Sequence, residues 1–119
     1  IEGYCLVFRG RNGSAVATIE PAEGGRVPGL LWEISDQDQL MLDQYKGCPR
    51  LYKKELHTVE FRGKPRQAMV YVMNPGPELG RPSGMYYNTV LEGYKVAGFD
   101  PGIVKTAARY SWERGLQHV

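Results

Sequence analysis

The sequence has little with which to cross-link itself, hold a metal or cross a membrane. It contains two cysteines, Cys5 and Cys48, and two histidines, His57 and His118. That is too few for a disulfide framework, and their spacing matches no metal-binding motif. Cys5 falls in an alternating apolar run and reads as a core residue. Cys48 falls in a turn with no histidine near it in the sequence, which argues against a reactive thiol. Charge of one sign is also scarce: fifteen basic and thirteen acidic residues leave a net +2. This balance excludes a broad electrostatic footprint on nucleic acid, and Arg9, Arg11 and Arg26 read as a solvated rim. No apolar run approaches the roughly 20 residues that span a bilayer, so no membrane partner is expected. No signal-peptide pattern is visible, and the expected location is cytoplasmic.

What is present points to one compact globular domain over residues 1–119. The chain is 42% hydrophobic and 24% charged, with eight tyrosines, a composition that buries a core rather than staying disordered. Its fifteen glycines suggest many turns and a β-rich fold. Residues 4–9 read as a strand, Asn12-Gly13 as a hairpin turn and residues 16–20 as a second strand. Residues 21–25 read as a loop and 27–34 as a buried strand, with Pro28 and Gly29 marking a bulge or edge at its start. Ser35 or Asp36 caps a short helix, Asp38 lies in its first turn, and Leu40, Met41, Leu42 and Tyr45 give it an inward face. Gly47 supplies the left-handed residue that ends it.

Residues 51–62 and 67–73 form a hairpin about a turn at Gly63-Lys64-Pro65. The run NPGPELGRPSG over 74–84 is a loop that either lids a cavity or simply connects. Ser83 caps a second helix whose inward face is Tyr86, Tyr87, Val90, Leu91, Tyr94 and Ala97, and Gly98 ends it. Asp100 caps a third helix with Pro101 at its first position, and Ile103, Val104, Ala107, Ala108 and Trp112 form its apolar face. The tail from Gly115 is expected to fray. Strands first and helices last, with one helix between, imply an α+β fold: a small, mostly antiparallel, barrel-like sheet with two to three flanking helices. The first residue, Ile1, falls inside a strand-like run, and a strand is expected to be missing upstream.

Several segments, in order, carry a family likeness. They are Gly3-Tyr4-Cys5-Leu6-Val7-Phe8; Ala17-Thr18-Ile19-Glu20-Pro21; Val27-Pro28-Gly29-Leu30-Leu31-Trp32-Glu33-Ile34; Leu42-Asp43 with Tyr45 and Gly47, on to Tyr52; Ala68-Met69-Val70-Tyr71-Val72; and Pro82-Ser83 with Tyr86, followed by Gly93. The ordered set resembles the gamma-glutamylcyclotransferase-like family over nearly the whole chain. The resemblance implies a β-barrel whose mouth holds a γ-glutamyl group, a small-molecule γ-glutamyl substrate, and a reaction that needs neither cofactor nor metal. The substrate's α-amine attacks its own γ-carbonyl and releases 5-oxoproline.

Such a reaction wants a base for the α-ammonium, donors for the oxyanion and a group that holds the substrate in register. The resemblance places the base, a glutamate, directly before the glycine of the Leu-Asp run. In this sequence that position is Lys46. It implies a substrate-side tyrosine at Tyr86 and a cavity-wall residue at Tyr52, with Gly47 beside them. The family's Tyr-Gly-Ser-Asn oxyanion loop has no counterpart here. Lowering a lysine from about 10.4 to about 7 costs roughly 4 to 5 kcal/mol, and Asp43, three residues back, favours an ion-paired or solvated Lys46. Glu33 is placed to face either inward or into solvent, and Glu55 is expected at the surface. Three functions remain open: a cyclotransferase; a non-catalytic module in which Lys46 holds an anionic ligand; and a structural unit with an open strand edge that pairs with another chain.

Overall fold

The computed structural model describes residues 1–116, with side chains through Arg114; the tail beyond, with His118, lies outside the described residues. The element order is β1 (Glu2–Arg9), β2 (Val16–Arg26), α1 (Asp36–Tyr45), β3 (Tyr52–Phe61), β4 (Lys64–Met73), α2 (Gly84–Ala97) and α3 (Gly102–Leu116). The architecture is mixed α+β, with antiparallel strands and three helices. The strands form two separate ribbons, β1–β2 and β3–β4. No barrel closes, because side chains rather than a backbone ladder join the two ribbons: the Met73 N–H donates to Thr18 Oγ1 at 3.0 Å and the Tyr52 hydroxyl to the Ala17 carbonyl at 3.0 Å.

The first ribbon is longer than its sequence pattern indicates. β2 continues through Pro21 to Arg26, where a loop was expected, and a register shift between Glu2 and Tyr4 absorbs the irregularity. Gly25 is required there: a Cβ would stand 2.4 Å from the Tyr4 carbonyl oxygen. The expected strand over 27–34 does not form. Val27 is buried, but Pro28 offers no N–H to a ladder and the chain leaves the ribbon. Leu30, Leu31, Trp32 and Ile34 are exposed, Trp32 to 75%, and Glu33 faces solvent outside any strand.

This departure also strips α1 of its expected inward face. The helix is well capped, with Ser35 Oγ accepting from the Asp38 N–H and Asp38 accepting from the Ser35 N–H. Yet Leu40, Met41 and Tyr45 are exposed, Tyr45 to 85%, and only Leu42 of that set is half-buried.

The second ribbon pairs ten residues in unbroken register, from Tyr52 with Met73 to Phe61 with Lys64. Its turn is Arg62-Gly63, both left-handed with φ of 51° and 76°, as a two-residue hairpin demands. Pro65 therefore lies within β4, opposite Glu60. The 74–84 segment is a connector: Gly10 and Gly80 N–H groups bond across it to Glu78 and Phe8 carbonyls, and the Arg9 guanidinium reaches the Pro77 carbonyl. It packs on the β1–β2 turn so closely that a Cβ at Gly80 would lie 2.2 Å from the Gly10 carbonyl oxygen.

The main core lies between the first ribbon and α2–α3. Phe8, Ala15, Val104 and Ala107 form its centre, with Tyr86, Tyr87, Val90, Leu91 and Tyr94 packed around it. The expected caps hold: Ser83 Oγ accepts from the Tyr86 N–H, Gly98 ends α2 with φ of 79°, and Asp100 Oδ1 accepts from the Gly102 N–H. α3 begins at Gly102, one residue after Pro101, and runs to Leu116. A smaller cluster of Ile19, Val27 and Val72 fills the space between the ribbons.

One polar group sits inside the main core. Ser111 is fully buried, and its Oγ accepts from the Phe8 N–H at 2.9 Å. Ser111→Ala leaves that N–H unsatisfied and should cost about 1–3 kcal/mol, read as a lowered urea midpoint with an unchanged slope. An unchanged midpoint would mean that the bond adds nothing to holding α3 on β1.

Candidate functional site

The turn between α1 and β3 positions the candidate residues. Lys46 caps α1, and its N–H donates to the Leu42 carbonyl at 2.8 Å. Gly47 takes the left-handed conformation with φ of 63°. The Leu51 N–H closes the turn on the Gly47 carbonyl at 2.8 Å, and the Asn74 side-chain amide donates to the Pro49 and Arg50 carbonyls. With the turn fixed at both ends, β3 starts with its first residue, Tyr52, buried beneath Lys46.

Tyr52 and Tyr86 converge on one residue of β2. The Tyr52 hydroxyl donates to the Ala17 carbonyl, and the Tyr86 hydroxyl accepts from the Ala17 N–H, each at 3.0 Å. Tyr86 is held by the α2 cap and by an edge-on contact with Phe8, ring centroids 6.2 Å apart. Among the described residues the Tyr86 hydroxyl makes this bond as an acceptor. Burial, then the neighbouring Tyr86, pushes the Tyr52 phenol up to about 12.

The Lys46 ammonium lies over the Tyr52 ring, 5.0 Å from its centroid, in cation–π range. Among the described residues it makes no salt bridge. Burial lowers its pKa below the ordinary lysine value, because a low-dielectric environment disfavours the charged form. Of the two expected states, ion-paired or solvated, the ion pair with Asp43 does not form, and Lys46 is half-buried. Asp43 Oδ2 instead meets Lys54 Nζ at 2.8 Å, and its Oδ1 accepts from the Tyr71 hydroxyl. These two bonds, Lys54 first, hold the Asp43 carboxyl below the usual range. The same pairing raises Lys54, and burial together with the bond to Asp43 pushes Tyr71 up to about 12.

Lys46, Gly47, Tyr52 and Tyr86 thus sit around one end of β3 and the outer edge of β2. Sequence reasoning missed Lys54 and Tyr71. Their signal lies in the hairpin register, which sets them directly opposite each other. Glu55 lies at the surface with its side chain 30% exposed, bonded to His57 Nε2 at 2.8 Å and to Lys53 at 3.2 Å, and the His57 bond is the larger cause of its lowered pKa. His57 in turn stacks edge-on against Tyr4, at 4.9 Å. Two open clefts lie elsewhere, one of about 500 Å³ between the first ribbon and α3 and one of about 420 Å³ beside α1. No group of three or more potential metal ligands comes together among the described residues.

A family model described as gamma-glutamyl cyclotransferase, AIG2-like covers residues 1–94, from β1 into the last turn of α2. No curated protein and no solved structure matches the chain.

The two raised phenols make alkaline stability a test of the site. An acid whose folded pKa lies above its unfolded value contributes fully below the unfolded pKa and loses that contribution as pH rises. For Tyr52 and Tyr71 the window runs from 10.0 to about 12. Stability should fall across this window, and the fall should be shallower in the Tyr52→Phe, Tyr71→Phe double variant. Equal slopes in both proteins, measured by denaturant unfolding at stepped pH, would exclude the two phenols as the cause.

Proposed function

Because the chain belongs to the gamma-glutamyl cyclotransferase, AIG2-like family, we propose that it converts a γ-glutamyl amine or amide to 5-oxoproline, with Lys46 in its neutral form as the proton acceptor. The observation that supports this reading is the placement of Lys46: over the Tyr52 ring, half-buried, and without a carboxylate partner among the described residues. A lysine lowered by burial and unpaired holds a larger neutral fraction at working pH than a solvated one, and a base is useful only when unprotonated.

The reaction balances without a cofactor. Neutral Lys46 takes a proton from the substrate α-ammonium. The freed amine attacks the γ-carbonyl carbon, forming the ring C–N bond and a tetrahedral oxyanion. The Tyr86 hydroxyl donates to the substrate. Collapse of the intermediate breaks the original γ-amide bond. Both protons lost by the attacking nitrogen end on the leaving amine, one of them by way of Lys46, and the lysine returns to its neutral state.

A second reading rests on the same ammonium. While protonated, Lys46 presents a positive charge where the resemblance places an acid, and it would hold a carboxylate or phosphate of a small anionic ligand. The two readings predict opposite pH dependence: proton abstraction by neutral Lys46 strengthens as pH rises, whereas anion binding by charged Lys46 weakens.

With γ-glutamyl amines and γ-glutamyl amino acids as substrates, 5-oxoproline release should climb with pH and level off once Lys46 is neutral. Lys46→Gln should cut the rate by about 10²–10⁴-fold, and Lys46→Glu should move the rising limb into the carboxylate range. No turnover in the wild-type chain, with turnover in Lys46→Glu, would overturn the catalytic reading. Calorimetric binding of glutamate, 5-oxoproline or inorganic phosphate, lost in Lys46→Gln and weakening with pH, would then establish the second.

A further inference from the structure

We infer that Lys54 and Tyr71 are positioning residues that occupy both oxygens of the Asp43 carboxylate and so keep it from pairing with Lys46. The inference deepens the proposed function and rests on its reading of Lys46 as the group that meets the ligand.

Asp43 and Lys46 stand three residues apart at the end of α1, and side chains at that spacing are neighbours on a helix surface. A carboxylate and an ammonium so placed attract each other weakly. The β3–β4 register prevents their pairing. Lys54 and Tyr71 lie directly opposite each other in the ladder, so a cation and a phenol project side by side from one face of the ribbon. Together they take one Asp43 oxygen each: Lys54 Nζ on Oδ2 at 2.8 Å and the Tyr71 hydroxyl on Oδ1. Lys54 neutralises the carboxylate charge and Tyr71 adds a second bond, which leaves little to draw Lys46 to Asp43. Lys46 then settles over the Tyr52 ring instead.

The groups that face this arrangement can be named from each element. Tyr52 comes from β3, with Tyr86 of α2 behind it. Asp43 comes from α1 itself, and Cys48, in the following turn, lies close enough to Lys54 and Tyr71 to act on both. Tyr52 keeps its proton to about 12. Asp43 is the carboxylate nearest to Lys46 in the sequence, and its commitment elsewhere leaves the lysine responsive to a ligand.

The test follows Lys46 alone and uses no γ-glutamyl substrate, so a failed activity assay leaves it intact. The amine is labelled competitively with acetic anhydride across pH and read by mass spectrometry of the peptide containing Lys46. In the Lys54→Met, Tyr71→Phe variant, Asp43 is released and the Lys46 titration should move up by about one unit, a roughly tenfold slower labelling at fixed pH below it. Adding Asp43→Asn to that variant should return the titration to its wild-type position, and Lys54→Arg should leave it there. An unmoved titration in the folded double variant overturns the inference, as does an upward shift that persists after Asp43→Asn. Should the double variant not fold, Asp43→Asn in the native background decides. Little change in Lys46 supports the inference, and a clear downward shift means that Asp43 already paired with Lys46 and overturns it.

Discussion

The grip of two tyrosines on Ala17 sets the position of much else in this protein. Within an antiparallel strand the N–H and C=O of one residue point to the same side, and on the outer edge of a ribbon both need partners. At Ala17 the partners are phenols: Tyr52 donates to the carbonyl and Tyr86 accepts from the N–H. One comes from the second ribbon and the other from α2. A single residue therefore ties three elements together, and the candidate site lies where they meet. The same bonds satisfy part of the β2 edge, which limits pairing with another chain at that point.

Side-chain hydroxyls substitute for a continuous ladder elsewhere too. Thr18 Oγ1 takes the Met73 N–H between the ribbons, and Ser111 Oγ takes the Phe8 N–H between β1 and α3. Each such bond is local and does not propagate as strand pairing does. The ribbons can thus sit together without the shear and closure of a barrel. The consequence reaches the α1 region. With residues 27–34 off the sheet, Leu30, Trp32, Leu40 and Tyr45 lie in solvent, and α1 is held mainly through Asp43 and the turn that follows it.

Local signals in the sequence correspond closely to local structure. The Ser35 and Ser83 caps, the left-handed Gly47 and Gly98, and the apolar face of α2 all depend on residues within a turn or two of each other, where chemistry and spacing suffice. The family likeness found in the ordered segments is likewise supported by the match over residues 1–94. Long-range choices were not legible. The apolar pattern over 27–34 describes side chains suited to burial, but it does not say whether a partner strand accepts them. The left-handed Arg62 has no signature, because arginine is not a residue that seeks positive φ. At the site, Lys46, Tyr52 and Tyr86 could be singled out by likeness, but the partner of Asp43 depends on which residues the hairpin register sets side by side. Helix spacing alone left Lys46 either paired with Asp43 or solvated.

Two opposing forces act on Lys46. The face of Tyr52 attracts the charged ammonium, whereas removal from water favours the neutral amine. Burial acts to lower the lysine pKa, and the ring face acts against it. An arriving carboxylate would shift that balance by pairing with the charged form. One lysine cannot serve the same ligand as both a counter-ion for its carboxylate and the acceptor of its ammonium proton, since the first role needs the charged state and the second the neutral one. Under the proposed reaction, the substrate would therefore present its α-ammonium to Lys46 and its carboxylate elsewhere.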